Sequence, residues 1–286
     1  MQIFKTACLM TVMTLLLMLI GGWLGGSVGL ELALALAAVM NFSAYFFSDK
    51  IALRTYNAQP VTRAELPNVY RILESLTGRE NLPMPRVYLI PTDSPNAFAT
   101  GRNPRHASVA VTRGVLGLLT DEELEGVLGH ELGHVRNRDI LISSIAATLA
   151  GAILIIARMA GWAAMFGGYG DNRDDREGGA LGALALMILA PLAATLIQLA
   201  ISRSREYAAD ASGAQWTGNP QALARALEKL DAYARQRPLL ASPSTAHLFI
   251  IAPRTRALLA GLFSTHPPIP ARVARLLGHP GDTAGN

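Results

Sequence analysis

Gly129-His130-Glu131-Leu132-Gly133-His134 is the stretch on which the reading of this chain turns. Two histidines four positions apart stand one above the other on an α-helix, so two imidazoles can grip one metal ion. Glu131, beside the first, is placed for its carboxylate to take a proton from water that the metal activates. That chemistry needs a helix, and the flanking sequence supplies one. Thr120-Asp121-Glu122-Glu123 is a capping-box pattern, with Thr at the N-cap and Glu three residues on. Leu124, Val127, Leu128 and Leu132 then recur at helical spacing. Two ordinary surface histidines are the competing reading, and this setting disfavours it.

The 286 residues are 51% hydrophobic and 16% charged, with a mean hydropathy of +0.29. A soluble domain carries roughly 25% charge, so the balance points to membrane segments. The single cysteine, Cys8, excludes an intrachain disulfide and a cysteine-based zinc site. The pI near 9.5 raises nucleic acid as a partner. The basic residues are scattered singly and carry no binding motif, so none is expected.

Four runs lack charge over a length that suits a bilayer: Ala7–Leu24, Leu30–Phe47, Ile140–Ala157 and Gly178–Ser202. Gly25, Gly26 and Gly29 allow a tight hairpin between the first two. A cleaved signal peptide is rejected for the first run, because no small-residue cleavage site precedes a polar start. The alanine- and glycine-rich second pair can also be read as a buried helical hairpin. Basic residues flank the spans at Lys5, Lys50, Arg54, Arg136, Arg138, Arg203 and Arg205, whereas the loop 167–178 is acidic on balance. By the positive-inside rule both termini and the metal motif face the cytoplasm. Residues 1–48 are then a transmembrane hairpin, 49–139 the first part of a water-facing domain, 140–202 a second transmembrane pair, and 203–286 the rest of that domain.

The fold class expected is α+β, a multi-span helical membrane protein with one cytoplasmic domain of active-site helices and a small β-sheet. Thr62–Glu65 reads as another capping box, opening a helix with Leu66, Val69, Tyr70, Leu73 and Leu76 on its apolar face. Arg86–Ile90 and Ser108–Thr112 read as short strands. A helix is expected at about Ser202–Gln215, another opened by Asn219-Pro220, and a last short one after Pro267-Pro268 and Pro270, ending near Gly278.

A catalytic zinc takes three protein ligands and keeps one open position. The form of the motif with a third histidine six residues on is excluded, because Asn137 and Ile140 stand where it needs Gly and His. Arg205-Glu206-Tyr207-Ala208-Ala209-Asp210 offers the alternative. Glu206 and Asp210 share a helix face, so Glu206 can ligate while Asp210 accepts the outer N–H of a ligand histidine. Glu228, His247 and His266 are less well placed competitors. At ~1.5 Å per residue, His134 and Glu206 both lie within about 10 Å of the same membrane face.

With these segments in hand the chain resembles the HtpX-like membrane metalloproteases, relatives of the CAAX prenyl proteases. The resemblance covers nearly the full length. It rests on Asn96-Ala97-Phe98-Ala99-Thr100-Gly101, the metal motif, Ser204–Asp210, and Ser264-Thr265-His266-Pro267-Pro268, in that order around four spans. It implies a zincin-type, zinc-dependent endopeptidase of the bacterial inner membrane that acts on misfolded or damaged membrane proteins and unfolded polypeptides, with stress response as its setting. It also implies that Asn96, Ala97, Phe98 and Ala99 form an edge strand on which substrate lies, and that His266 donates to an oxyanion. A turn histidine with a packing role is the other reading of His266, and a structural role is preferred over metal gating for His247. The resulting expectation is one Zn²⁺ held by His130, His134 and Glu206, with Glu131 as general base and Asp210 behind a histidine. The rival from another class is a zinc-stabilised adaptor in the bilayer that binds client segments without cutting them, against which the intact Glu131 argues.

Overall fold

The structure, a computed structural model, describes residues 2–146, 148–150, 152–153, 203–236, 250 and 267–278. Helix α1 (Gln2–Thr55) is helical by hydrogen bonding throughout, yet it folds back on itself. Gly26 takes a positive φ of 60°, and the Asn41 side chain donates to Thr14 Oγ1 at 2.9 Å. On a straight helix those residues would stand about 40 Å apart. The turn that the glycines predicted is therefore present. Gly21 and Gly29 face each other across it so closely that a Cβ on Gly21 would lie 2.4 Å from the Gly29 carbonyl oxygen. The outer surfaces of the arms carry exposed Phe4, Leu15, Leu19, Val28, Leu32 and Val39.

Of the four expected spans, one helix among the described residues is long and apolar enough to cross a membrane, the arm Gly26–Thr55. The first arm is apolar only over Thr6–Leu19, and a third apolar helix, α5 (Asp139–Ala150), is likewise shorter. Leu9, Met13 and Ala44 of the hairpin pack against Leu141, Ile142, Ile145 and Leu149 of α5. The expected span Gly178–Ser202 and the loop 167–178 lie outside the described residues.

The second arm of α1 runs on into a four-stranded sheet in the order β1-β2-β4-β3, formed by β1 (Gln59–Pro60), β2 (Arg86–Ile90), β3 (Ala97–Gly101) and β4 (Ala107–Thr112). Strands β2 and β4 are parallel, with Val87 opposite Val109. β3 is antiparallel to β4, with Ala99 opposite Val109, and lies at the sheet edge. Alternation of side chains gives β3 two partners. Phe98 packs with Ala52 and Leu53 at the base of α1, while Ala97 and Ala99 face the main core of the domain.

Helix α2 (Pro67–Glu80) starts later than expected. The Thr62 N–H and hydroxyl both donate to the Glu65 carboxylate, which closes a separate turn, and Pro67 opens the helix because its fixed φ and missing N–H suit the first position. After α3 (Arg113–Leu118) comes α4 (Asp121–Arg136), which carries the metal motif. Its capping box is complete, with Glu123 N donating to Thr120 Oγ1 and Thr120 N to the Glu123 carboxylate. Val127, Leu128 and Leu132 are fully buried, as their spacing predicted. Helices α6 (Arg203–Thr217), α7 (Pro220–Gln236) and α8 (Ile269–Leu276) complete the described domain. Asn219 caps α7 by accepting from Ala222 N at 3.0 Å.

Candidate metal centre

The centre forms where α4 crosses α6, and glycine lets them meet. A Cβ on Gly213 of α6 would sit 2.8 Å from the His130 backbone nitrogen, and one on Gly129 would sit 3.1 Å from Gly213 Cα. Any larger side chain at this crossing would push the helices apart. At this closeness His130 Nε2 lies 3.9 Å from Glu206 Oε2, and His134 Nε2 lies 3.5 Å from Glu206 Oε1. The ligand atoms of His130, His134 and Glu206 all fall within 4.8 Å of one another. Two imidazole nitrogens and one carboxylate oxygen form the donor set of a catalytic zinc-type centre, which leaves a fourth position open.

Both imidazoles are held from behind. His130 Nδ1 is 2.9 Å from Asp210 Oδ1, and His134 Nδ1 is 3.3 Å from Asp139 Oδ2. A carboxylate at Nδ1 keeps the proton there and leaves the Nε2 lone pair for a metal. Asp210 is gripped in turn by Arg272, whose Nε donates to Oδ2 at 2.8 Å and Nη2 to Oδ1 at 2.6 Å. Arg272 is completely buried. Its Nη1 donates to the Ile250 carbonyl at 3.1 Å and lies 3.7 Å from Glu206.

These surroundings shift the protonation of Glu131, His130, His134 and Asp210. Burial drives Glu131 up to about 7, although the His134 charge and the Ala99 N–H pull the other way. Burial lowers His130 against the pull of Asp210. Burial also opposes the charge on His134, but the Asp139 hydrogen bond and the Glu206, Glu131 and Asp139 charges outweigh it and raise His134 to about 9. Negative charge that attracts a proton to His134 equally attracts a divalent cation, so metal and proton compete for one nitrogen. Burial raises Asp210, and the Arg272 guanidinium reverses this to hold it near 2.

Glu131 is tied to the sheet. Its Oε2 accepts from the Ala99 N–H of β3 at 2.9 Å. Thr112 N donates to the Asn96 carbonyl, so in the alternating antiparallel pattern Ala97 and Ala99 turn their backbone groups away from β4. The backbone of this edge thus runs alongside the metal-binding helix. Asn96 is buried, its Oδ1 accepting from Ile250 N at 3.3 Å. His247 and His266 lie outside the described residues.

Two contributors escaped the sequence reading. Asp139 gave no signal, because its contact with His134 depends on how the chain turns after α4. Arg272 did leave a trace. It falls on the helical face of Ile269, Val273 and Leu276, and an arginine within an apolar stripe needs a buried partner.

Comparison with known proteins agrees with this construction. The model for "Peptidase family M48" matches residues 63–279. The chain belongs to peptidase family M48. It is 58% identical over 275 residues to a "Protease HtpX homolog" of Syntrophobacter fumaroxidans, covering 96% of this chain and 98% of that relative. Protease HtpX homologs of Nostoc punctiforme and Thermococcus sibiricus are 53% and 51% identical, over 96% and 95% of this chain and 94% of each relative. A crystal structure of S. mikatae Ste24p superposes with a TM-score of 0.52 at 21% identity, over 96% of this chain and 65% of that one. At that identity the likeness speaks for the fold alone.

Proposed function

We propose that this chain is a membrane-anchored zinc endopeptidase that cleaves misfolded or damaged membrane proteins and unfolded polypeptides at the cytoplasmic face of the bacterial inner membrane. The observation that carries the reading is the convergence of His130, His134 and Glu206 within 4.8 Å, with Glu131 next in the chain to His130 and its carboxylate held by the Ala99 N–H. Membership of a peptidase family supports hydrolysis of peptide bonds, and the apolar arm Gly26–Thr55 supports the anchor.

His130, His134 and Glu206 hold the ion. Zinc, when bound, supplies Lewis acidity toward water and the scissile carbonyl. Glu131 does the proton transfer. Its carboxylate takes a proton from the attacking water and delivers it to the leaving amine. The Ala99 N–H orients the carboxylate. A substrate segment laid along Asn96–Ala99 is held through the outward backbone groups of Ala97 and the Ala99 carbonyl, which Glu131 does not use, and backbone recognition tolerates many side chains. Asp210 and Arg272 keep His130 in the ligating tautomer. His266 is assigned as a donor to the developing oxyanion.

The test compares Glu131→Gln with Glu206→Ala. Glu131→Gln is expected to retain zinc and lose at least ~10²-fold in peptide hydrolysis, the scale of general-base loss. Glu206→Ala is expected to lose zinc as well. Near-normal turnover in Glu131→Gln sinks the mechanism, and the rival zinc-stabilised adaptor reading predicts client binding with no chelator-sensitive cleavage. The cytoplasmic placement is tested by labelling single cysteines at Ser75, Gln236 and Asn172 from outside intact cells, in a Cys8→Ser background. Label is expected at 172 alone.

A further inference from the structure

We propose that Asp139 is the positioning carboxylate of His134, backed by Arg205, and that it ties the metal centre to α5, the helix packed on the apolar hairpin. The inference rests on the metal reading above. His130 takes its orienting carboxylate from α6, on the far side of the glycine crossing. His134 takes its own from the same strand of chain, five residues on.

That contact has to be built. On an uninterrupted helix residues five apart point about 140° away from each other. Here α4 ends at Arg136, with Asn137 N donating to the Gly133 carbonyl and Arg138 N to that of Val135. Arg138 then adopts a left-handed φ of 58°, a conformation that costs a non-glycine residue roughly 1–2 kcal/mol. The left-handed residue breaks the helical path, and the Asp139 carboxylate comes to face His134. Strain of this kind persists where the surroundings over-determine it.

The result is a chain of contacts between the candidate metal centre and α5. Asp139 is buried, with Oδ2 3.3 Å from His134 Nδ1 and Oδ1 3.9 Å from Arg205 Nη1. Accepting the Nδ1 proton leaves His134 Nε2 free toward Glu206 Oε1, 3.5 Å away. Arg205 immediately precedes Glu206, so one peptide step carries both the counter-ion of Asp139 and the third ligand. Asp139 is also the first residue of α5, whose Leu141, Ile142, Ile145 and Leu149 pack on Leu9, Met13 and Ala44 of the hairpin. A displacement of α5 against α4 therefore moves the group that orients a metal ligand.

As the first residue of α5, Asp139 also carries a negative charge at the helix N-terminus, and asparagine keeps its size and a hydrogen-bonding oxygen without that charge. Asp139→Asn in the full-length protein therefore removes the negative charge at His134 with little change of volume. The metal-free variant is expected to fold, with a lower melting temperature because Arg205 loses a counter-ion. Its zinc dissociation constant, measured by competition with a chelator, is expected to rise roughly 10–100-fold, and the visible bands of the cobalt(II)-loaded protein to shift. Should Asp139→Asn fold poorly, Asp139→Ser, a smaller polar side chain without the carboxylate, takes its place. Unchanged zinc affinity and cobalt spectrum in either folded variant overturn the proposal. A wild-type chain that binds no zinc defeats the metal reading itself, and this inference with it.

Discussion

The hairpin of α1 and the crossing of α4 with α6 are closed by the same device and obey opposite solvent rules. In each, two glycines face one another, Gly21 with Gly29 and Gly129 with Gly213, and allow backbone contact. In the hairpin, large apolar side chains point outward, and Asn41 clamps the two arms on Thr14 and the Met10 carbonyl. At the crossing the order is inverted. Glu131, Glu206, Asp210 and Arg272 are buried, and each has partners within the domain. An outward apolar surface is at ease against lipid, where packing and small residues hold helices together. A cluster of buried charge is tolerated only when it is paired, and such pairing is characteristic of functional sites.

If that contrast is correct, the largest effect comes from breaking a pair inside the crossing. Asp210→Ala leaves the Arg272 guanidinium buried beside only Glu206, and is expected to cost ~3–5 kcal/mol in denaturant unfolding. The double replacement Asp210→Leu with Arg272→Met is expected to cost less than Asp210→Ala alone, because it removes both members of the closest pair and leaves Glu206 its contacts with His130 and His134. Equal losses in the two would show that the pair is not what holds this region. The pH dependence has a definite sign. Asp210 is held near 2 against an ordinary 3.8, so its contribution is complete above that ordinary value and disappears as pH falls toward 2.

A smaller effect is expected from the packing device itself. Gly213→Ala puts a methyl 2.8 Å from the His130 nitrogen, and such overpacking costs about 1–3 kcal/mol. Because the methyl wedges α4 from α6, zinc affinity is expected to fall along with stability, as measured on the same preparation. A stability loss with unchanged zinc binding would separate the glycine crossing from the metal centre. The smallest effect belongs to the hairpin. Asn41→Leu removes the Thr14 clamp, and polar contacts between helices in lipid average about 0.6 kcal/mol. A loss as large as that of Asp210→Ala would mean that the hairpin is organised like the domain and not like a bilayer segment.

Much of the site was legible because its signals are local. The H-E-x-x-H spacing is a helical periodicity, the Thr120–Glu123 cap is a four-residue pattern, and the Gly26 turn follows from glycine between two apolar runs. The pairing of Glu206 with Asp210 could be read for the same reason, since four residues on a helix share a face. Thr62–Glu65 shows where local patterns mislead. Its carboxylate does reach back to Thr62, but the proline five residues on is the stronger signal for the start of α2.

The sequence by itself determined the chemistry on offer: two imidazoles and a carboxylate on one helix, a second acidic helix and apolar arms. These depend on residue type and on the helical period of 3.6, which do not require the rest of the chain. Only the tertiary structure decided which carboxylate stands behind which histidine, that Arg272 is buried against Asp210, and that the Ala99 N–H holds Glu131. Those contacts link residues as far apart as 130 and 272 and span distances of about 3 Å. Such a fit depends on the glycine crossing and on the left-handed turn at Arg138, and helical or strand periodicity encodes neither.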